Sequence, residues 1–423
     1  MPLRHGPAIL LGRVVRVAAR IRKPGGGSAV PGLVVNRIAP GFLPSTLDGF
    51  RDGLVVVTGS AGKSTTTKML VAVLRAHGLR VFTNPSTANI AQGLTSALLE
   101  RASVTGRIDA DIAVLEMDEG HGARLAPRIR PRVVALTNVM VDQIDRFFDP
   151  QMVARMLGTI ASRATHAVVL NADDRYVAEL ATALGDSLPR WYGVSESVLA
   201  QAAQGLGYAS ASEAGSSLAS TVVESTSGTA ARIRSDSDEL DIRLPAKGVH
   251  YAVDAAAAVA TARAVLGARF DATVTSAALS AIEPVFGRGE IVTVRGQEVE
   301  FVLVQNPASY QLNIDEIEPG TEQIMLAIGS DVRDPSYFWP VDTSVLGHVR
   351  VVSGSKAHEA ALQLRYDGVR IDSVEEDLGR ALDDFLALPT PTTGRKTIVF
   401  SADSMRRTRA HLELTSNREE SAL

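Results

Sequence analysis

From Leu54 onward the chain alternates short apolar runs with longer segments whose apolar positions recur every three to four residues. Leu54–Val57, Ile112–Leu115, Val133–Leu136 and Ala167–Leu170 are continuously apolar, the pattern of strands buried on both faces. Lys63–His77 and Met152–Ser162 have helical periodicity. The alternation predicts βαβ units and a mostly parallel sheet. In Ala209–Thr221, eleven of thirteen residues are Ala, Ser, Gly or Thr, which predicts a weakly structured insertion over about 199–230. Regular patterning returns at Ile233–Leu244, followed by an alanine-rich helix over Val253–Leu266.

A second break falls at Pro284–Gly289. Beyond it, apolar runs at Glu298–Val304, Gln323–Ile328, Val349–Val352 and Thr397–Phe400 alternate with helical segments, predicting a smaller α/β domain. The expected organisation is a lead-in over 1–50, a nucleotide-binding domain over 51–285 and a Rossmann-like C-terminal domain over 286–423.

Charge changes the picture at the N-terminus. Arg4, Arg13, Arg16, Arg20, Arg22, Lys23 and Arg37 face a single acid, Asp48, in the first fifty residues. Arg13, Arg16 and Arg20 share helical spacing, and Pro24-Gly25-Gly26-Gly27 closes the segment. Two readings stay open: a basic surface for an anionic membrane or phosphorylated substrate, or a helix packed on the next domain. The whole chain carries only −4, so it has no electrostatic footprint for nucleic acid. No segment has the pattern of a membrane span or secretory signal, and the expected location is cytoplasmic. The chain has no cysteine, which excludes disulfides, thiolate-bound zinc, Fe–S clusters and a cysteine nucleophile.

The most specific chemistry lies at the end of the first apolar run. Thr58-Gly59-Ser60-Ala61-Gly62-Lys63-Ser64-Thr65 joins a buried strand to a helix through a glycine-bearing turn. Gly59 and Gly62 let backbone amides turn inward around phosphate oxygens, and the helix N-terminus adds partial positive charge. Lys63 supplies a mobile cation for the β/γ-phosphates, and the Ser64 hydroxyl is a Mg²⁺ donor. A generic P-loop has glycine where this chain has Val57, so the tighter Gly-x-x-Gly-Lys-Ser form describes it better. The Ile112–Leu115 run delivers Glu116, then Asp118 and Glu119, to the same sheet edge, where open α/β sheets bind ligands. The next run ends at Thr137-Asn138 and leads into Asp142-Gln143-Ile144-Asp145-Arg146.

These segments, with Leu170-Asn171-Ala172-Asp173-Asp174, resemble the central domain of the Mur ligases. Phe286-Gly287-Arg288-Gly289-Glu290 resembles that family's entry into its C-terminal domain. Gln305-Asn306-Pro307-Ala308, Asp331–Asp342 and Ser353–Gly368 resemble the C-terminal domain of its MurT branch. The resemblance implies an ATP-dependent amide ligase that activates a carboxylate as an acyl phosphate, with Mg²⁺, beside a GatD-like glutaminase that supplies ammonia. The implied acid is the D-glutamate α-carboxylate of lipid II, at the inner membrane surface.

By resemblance, the triphosphate falls to Gly59, Ser60, Ala61, Gly62, Lys63, Ser64 and Thr65. The metal falls to Ser64, Glu116 and Gln143, and substrate contacts to Asn89, Asn138 and Asp142. Asp254, Arg288 and Asn306 fall to the nucleotide. Lys63, Glu116 and Arg288 fall to phosphoryl transfer, and either Asp334 or Asp342 to the glutaminase partner. The chain departs from the family at several points. The four-cysteine zinc ribbon of many relatives is replaced by Gln201–Thr229, which is poor in metal ligands. Ser60-Ala61 replaces Thr-Asn, Tyr251 and Asp254 replace two asparagines, and Pro340 replaces an aspartate. A ligase for another, soluble acid and a nucleotide-binding protein without catalysis therefore remain alternatives.

Overall fold

The computed structural model describes residues 6–22, 29–85, 88–140, 149–202, 205–212, 215–283, 288–304, 306–333 and 338–414. Three helices lead in: α1 (Gly6–Arg22), α2 (Val30–Ile38) and α3 (Phe42–Leu47). The central unit then runs β1 (Leu54–Thr58), α4 (Lys63–Ala76), β2 (Val81–Thr83), α5 (Ala91–Arg101), β3 (Ile112–Glu116), α6 (Glu119–Leu125), β4 (Val133–Leu136), α7 (Pro150–Ala161), β5 (Ala167–Asn171), α8 (Arg175–Glu179), β6 (Leu188–Val194) and α9 (Glu196–Leu199). It closes with β7 (Thr221–Ser227), β8 (Ala230–Ser235), β9 (Asp238–Arg243), α10 (Val249–Leu266) and α11 (Ala272–Ser280).

Their strands form one nine-stranded sheet in the order β2-β3-β1-β4-β5-β6-β7-β8-β9. Pairing is parallel from β2 to β7 and antiparallel through β8 and β9. Alternation along β1 places Val55 and Val57 in the core beneath α4 and α10, and Leu54 and Val56 in the core beneath α3, α5 and α7. Both faces are covered, which is why β1, β3, β4 and β5 read as unbroken apolar runs.

Helix α10 begins four residues before the sequence pattern indicates, after Gly248 at φ +118° ends the preceding extended segment. Its alanines pack against α4, where small side chains permit close approach. Among the described residues it is the one helix long and apolar enough to cross a membrane, and it is the buried core helix of this unit.

The stretch expected as a weakly structured insertion is partly ordered into the fold. Tyr208 bridges to Met140, Ala211 bridges to Asp174, and Thr221–Ser227 is a strand of the main sheet. Hydroxyl- and alanine-rich composition hid β7 because its second half is exposed or half-buried.

The C-terminal unit runs β10 (Arg288–Val294), β11 (Gln297–Leu303), α12 (Pro307–Asp315), β12 (Ile324–Ala327), β13 (His348–Ser353), α13 (Ala357–Tyr366), β14 (Arg370–Glu375), α14 (Leu378–Ala387), β15 (Lys396–Phe400) and α15 (Ala402–His411). Its six strands order as β10-β11-β15-β12-β13-β14, parallel except for the β10–β11 hairpin. Apolar clusters cover both faces of this sheet too. The Pro284–Gly287 boundary lies outside the described residues.

Candidate active site

Strand β1, between β3 and β4 in the sheet, ends in Thr58, and the following loop opens α4 at Lys63. Gly59 and Gly62 hold φ +137° and +78°, conformations that side-chain-bearing residues resist. Space is equally restrictive: a Cβ on Gly59 would lie 2.1 Å from Thr137 Oγ1. The loop therefore nests against the end of β4, with its amides at the N-terminus of a fourteen-residue helix.

Asn138 fixes that nest. Its Oδ1 accepts from Ala61 N at 2.9 Å, its Nδ2 donates to Ala61 O at 3.3 Å, and its backbone O accepts from Ser60 N at 2.9 Å. Met140 N donates to Ser60 Oγ at 3.1 Å. The Asn138 side chain thus braces the phosphate loop. Asp254 also packs against the loop. It lies buried under the loop, within 3.3 Å of Thr66 Oγ1, and leaves no room for a side chain at residue 62.

Lys63 folds back over its own loop. Nζ donates to Gly59 O, to Ser60 O at 2.9 Å and to Glu119 Oε1 at 3.0 Å. The lysine and glutamate are both largely buried, so this ion pair is shielded from solvent. Glu119, from the first turn of α6, was placed at this edge by the sequence, but its pairing with Lys63 was not. The signal for its placement was its position three residues after Glu116.

Glu116 ends β3, is buried, and accepts from Asn89 Nδ2 at 3.4 Å. Its backbone is clasped by Asn84, whose side chain donates to Glu116 O at 3.1 Å and accepts from Glu116 N at 3.0 Å. Asn84 is a residue missed from sequence. Asp118 caps α6 by accepting from His121 N at 3.0 Å. Asn89, Glu116, Glu119 and Lys63 thus meet at one sheet edge beside the loop that carries Ser64. Among the described residues no three His, Cys, Asp or Glu side chains form a metal cluster. The hard oxygen donors at this edge, the Ser64 hydroxyl and the Glu116 carboxylate, suit a Mg²⁺ held jointly with phosphate oxygens.

A layer of buried polar groups lies behind β4. Tyr192 Oη donates to Thr137 O at 2.8 Å and Leu136 O at 3.0 Å, and Asn171 Nδ2 donates to Thr137 O at 2.9 Å. Burial raises Asp173 to about 6, against a hydrogen bond from Val194 N. Burial likewise raises Asp174 to about 7, although Val139 N and Val177 N both donate to it.

The C-terminal unit holds other residues assigned by resemblance. Asn306 is the N-cap of α12, in a reciprocal capping box with Ser309 at 2.7 and 3.0 Å. Asp342 is exposed and caps a short 3₁₀ turn through Ser344 N at 3.0 Å. Its hydrogen bonds from Ser344 hold its carboxyl below the usual range. Arg288 is the first residue of β10. Asp142, Gln143 and Asp334 lie outside the described residues.

Between the two sheets lies a cleft of about 520 Å³. Lys247, just before α10, and Tyr251, in its first turn, line it from the central unit, and Glu300, Glu316 and Arg395 from the C-terminal unit. Burial raises Glu300 and Glu316, with Lys247 acting against the shift. Helix α10 connects this cleft to the phosphate loop, since Tyr251 and Asp254 are on its first turns.

Comparison with known proteins agrees with this arrangement. Residues 57–262 match the Mur ligase middle domain, and residues 303–401 match the MurT ligase C-terminal domain. The lipid II isoglutaminyl synthase (glutamine-hydrolyzing) subunit MurT of Streptococcus pneumoniae is 28% identical over 391 residues, 83% of this chain and 85% of the relative. The chain belongs to the Mur ligase family. Within that family its C-terminal domain is of the MurT type. The MurT subunit of Staphylococcus aureus is 30% identical over 179 residues, 42% of this chain and 39% of its own length.

Solved Mur ligase structures share the fold. MurF from Acinetobacter baumannii has a TM-score of 0.69 at 17% identity, covering 90% of this chain and 80% of its own. Mycobacterium tuberculosis folylpolyglutamate synthase, complexed with ADP and AMPPCP, has a TM-score of 0.62 at 17% identity, covering 88% and 93%.

Proposed function

We propose that this Mur ligase family member is the ATP-dependent subunit of an amide ligase. It activates the D-glutamate α-carboxylate of a lipid-linked peptidoglycan stem for amidation by ammonia. The carrying observation is the braced Gly59–Ser64 loop opening α4 beside the Lys63–Glu119 pair and Glu116. The names of the relatives, both MurT subunits of a glutamine-hydrolysing synthase, support the substrate and the need for a partner.

In this reading the loop amides and Lys63 receive the β- and γ-phosphates of ATP. Arrival of the triphosphate draws Lys63 from Glu119, replacing a carboxylate partner with a phosphate partner. Ser64 and Glu116 would hold Mg²⁺, which supplies neutralisation of the charge on the transferring phosphoryl group. The substrate carboxylate oxygen attacks the γ-phosphorus and ADP leaves. Ammonia then attacks the acyl carbon of the mixed anhydride, inorganic phosphate departs with the oxygen that had attacked phosphorus, and the nitrogen loses a proton to leave an amide that keeps the other carboxylate oxygen. Arg288, at the start of the C-terminal unit, would bring a cation to the nucleotide when the two units close.

The chain has no cysteine, so hydrolysis of glutamine by a cysteine nucleophile belongs to another polypeptide. We assign that role to a GatD-like glutaminase, at the inner surface of the cytoplasmic membrane, where a lipid-linked acid is accessible. The test is reconstitution. ADP formation is followed with the acid, with ammonium or with glutamine, and with or without the glutaminase. The reading expects acid-dependent turnover that ammonium supports alone and glutamine supports only with the partner. Turnover that ignores the acid would refute it.

A further inference from the structure

Of the two readings of helix α1, the structure shows the packed helix. Arg13 reaches inward to Ala102 O, and Arg16 pairs with Glu100, both at the C-terminal end of α5. Ile9 and Gly12 face the core, where a Cβ on Gly12 would lie 2.8 Å from Val35 Cγ2 and 2.9 Å from Leu99 Cδ1. The outward face is therefore apolar. Leu10, Leu11, Val14 and Val17 repeat at three- and four-residue spacing and are 55, 45, 64 and 60% exposed.

Helix α2, packed against α1, adds Val30 and Leu33. Seven of the seventeen exposed large apolar side chains among the described residues are on these two helices, Ile38 being the seventh. Soluble surfaces carry single exposed apolar residues, not a continuous stripe of this kind.

We propose that this α1–α2 face docks on an anionic lipid bilayer. Charge selects the occupant. The first fifty residues carry seven cations and one acid, and with Arg13 and Arg16 engaged on α5 five cations remain against Asp48, within a chain of −4. A second copy on this face would oppose two such basic segments, whereas an anionic surface complements them. Arg37 is exposed beside Ile38 at the end of α2, and the sequence Arg20-Ile21-Arg22-Lys23 follows the apolar stripe. Seventeen residues fastened along one side to α2 and α5 lie in the interface plane and do not cross it. The inference deepens the functional reading by giving a lipid-linked acid a place of approach, and in that purpose it rests on it. The exposed stripe stands without it.

The test uses the full chain in flotation with vesicles of phosphatidylcholine alone and of phosphatidylcholine with phosphatidylglycerol. Wild type is expected to float with the anionic vesicles, less so as salt rises. The triple variant Leu10→Gln, Val14→Gln, Val17→Gln changes only exposed positions, and its folding is checked by circular dichroism. It is expected to lose binding about tenfold or more. Arg37→Glu is expected to weaken binding to anionic vesicles only. Absence of wild-type flotation, or equal flotation of the triple variant, overturns the proposal. So does a wild-type dimer that the triple variant breaks while lipid binding persists, since the occupant is then a second copy. ATP turnover with a soluble stem-peptide acid is read in parallel. Its loss in wild type would count against the ligase reading, and vesicle binding would be unaffected.

Discussion

A Cβ on Gly62 would lie 2.2 Å from Asp254 Oδ1, so the phosphate loop and the core helix α10 meet with no space for a single methyl group. Gly62 also sits at φ +78°, where alanine costs about 1 kcal/mol before any clash. Gly62→Ala is expected to weaken nucleotide binding tenfold or more and to lower the unfolding midpoint. Asp254→Ala in the same chain relieves the clash and leaves the φ cost. The double variant is therefore expected to be less damaged than the sum of the singles, by about 1 kcal/mol. Nucleotide titration and denaturant unfolding of the four proteins measure both quantities. Strict additivity would show that the contact carries no energy.

Lys63 and Glu119 give the second prediction. Lys63→Met removes the cation that would meet the transferring phosphoryl group and is expected to lower turnover by about 10²-fold or more with the fold intact. Glu119→Gln removes the competitor for Lys63 and is expected to tighten nucleotide binding a few-fold. Isothermal titration with a non-hydrolysable nucleotide decides this. Weaker binding in Glu119→Gln would show that the carboxylate serves the bound state and not the resting one.

Asp173 and Asp174 give a pH prediction. Burial places Asp173 at about 6 and Asp174 at about 7, both above an unfolded carboxyl. The folded state therefore holds protons that the unfolded state has released, and stability falls as pH rises from about 4 through these values. Asp173→Asn keeps an acceptor for Val194 N and cannot ionise. It is expected to exceed wild type at pH 8 by on the order of 2 kcal/mol, with the gap closing near pH 4. Thermal unfolding across that range tests it, and a gap independent of pH would contradict the assignment.

Much of the site was legible because its chemistry is written in contiguous residues. A strand buried on both faces must be apolar throughout, and the glycines, Lys63 and Ser64 follow it directly. Glu116 was legible for the same reason, as the first charge after an apolar run. Glu119 was placed at the same edge, but its pairing with Lys63 was not legible, because it depends on how α6 leaves the sheet. The inward turn of Arg13 and Arg16 was hidden too, since it answers to acceptors on α5 nearly ninety positions away. Asn306 carried a further readable signal: Asn-Pro-Ala-Ser is a helix start with a cap and its reciprocal partner. Strand β14 went unread because its alternating polar residues form an exposed sheet edge.

The central claim is that a carboxylate becomes an acyl phosphate at the Lys63 loop, and an oxygen label tests it most directly. The acid is supplied with both carboxylate oxygens as ¹⁸O, together with ATP and ammonium, and the products are read by mass spectrometry. The account predicts one ¹⁸O in each inorganic phosphate released and one in each amide formed, with neither product in Lys63→Met. Phosphate free of label would contradict it.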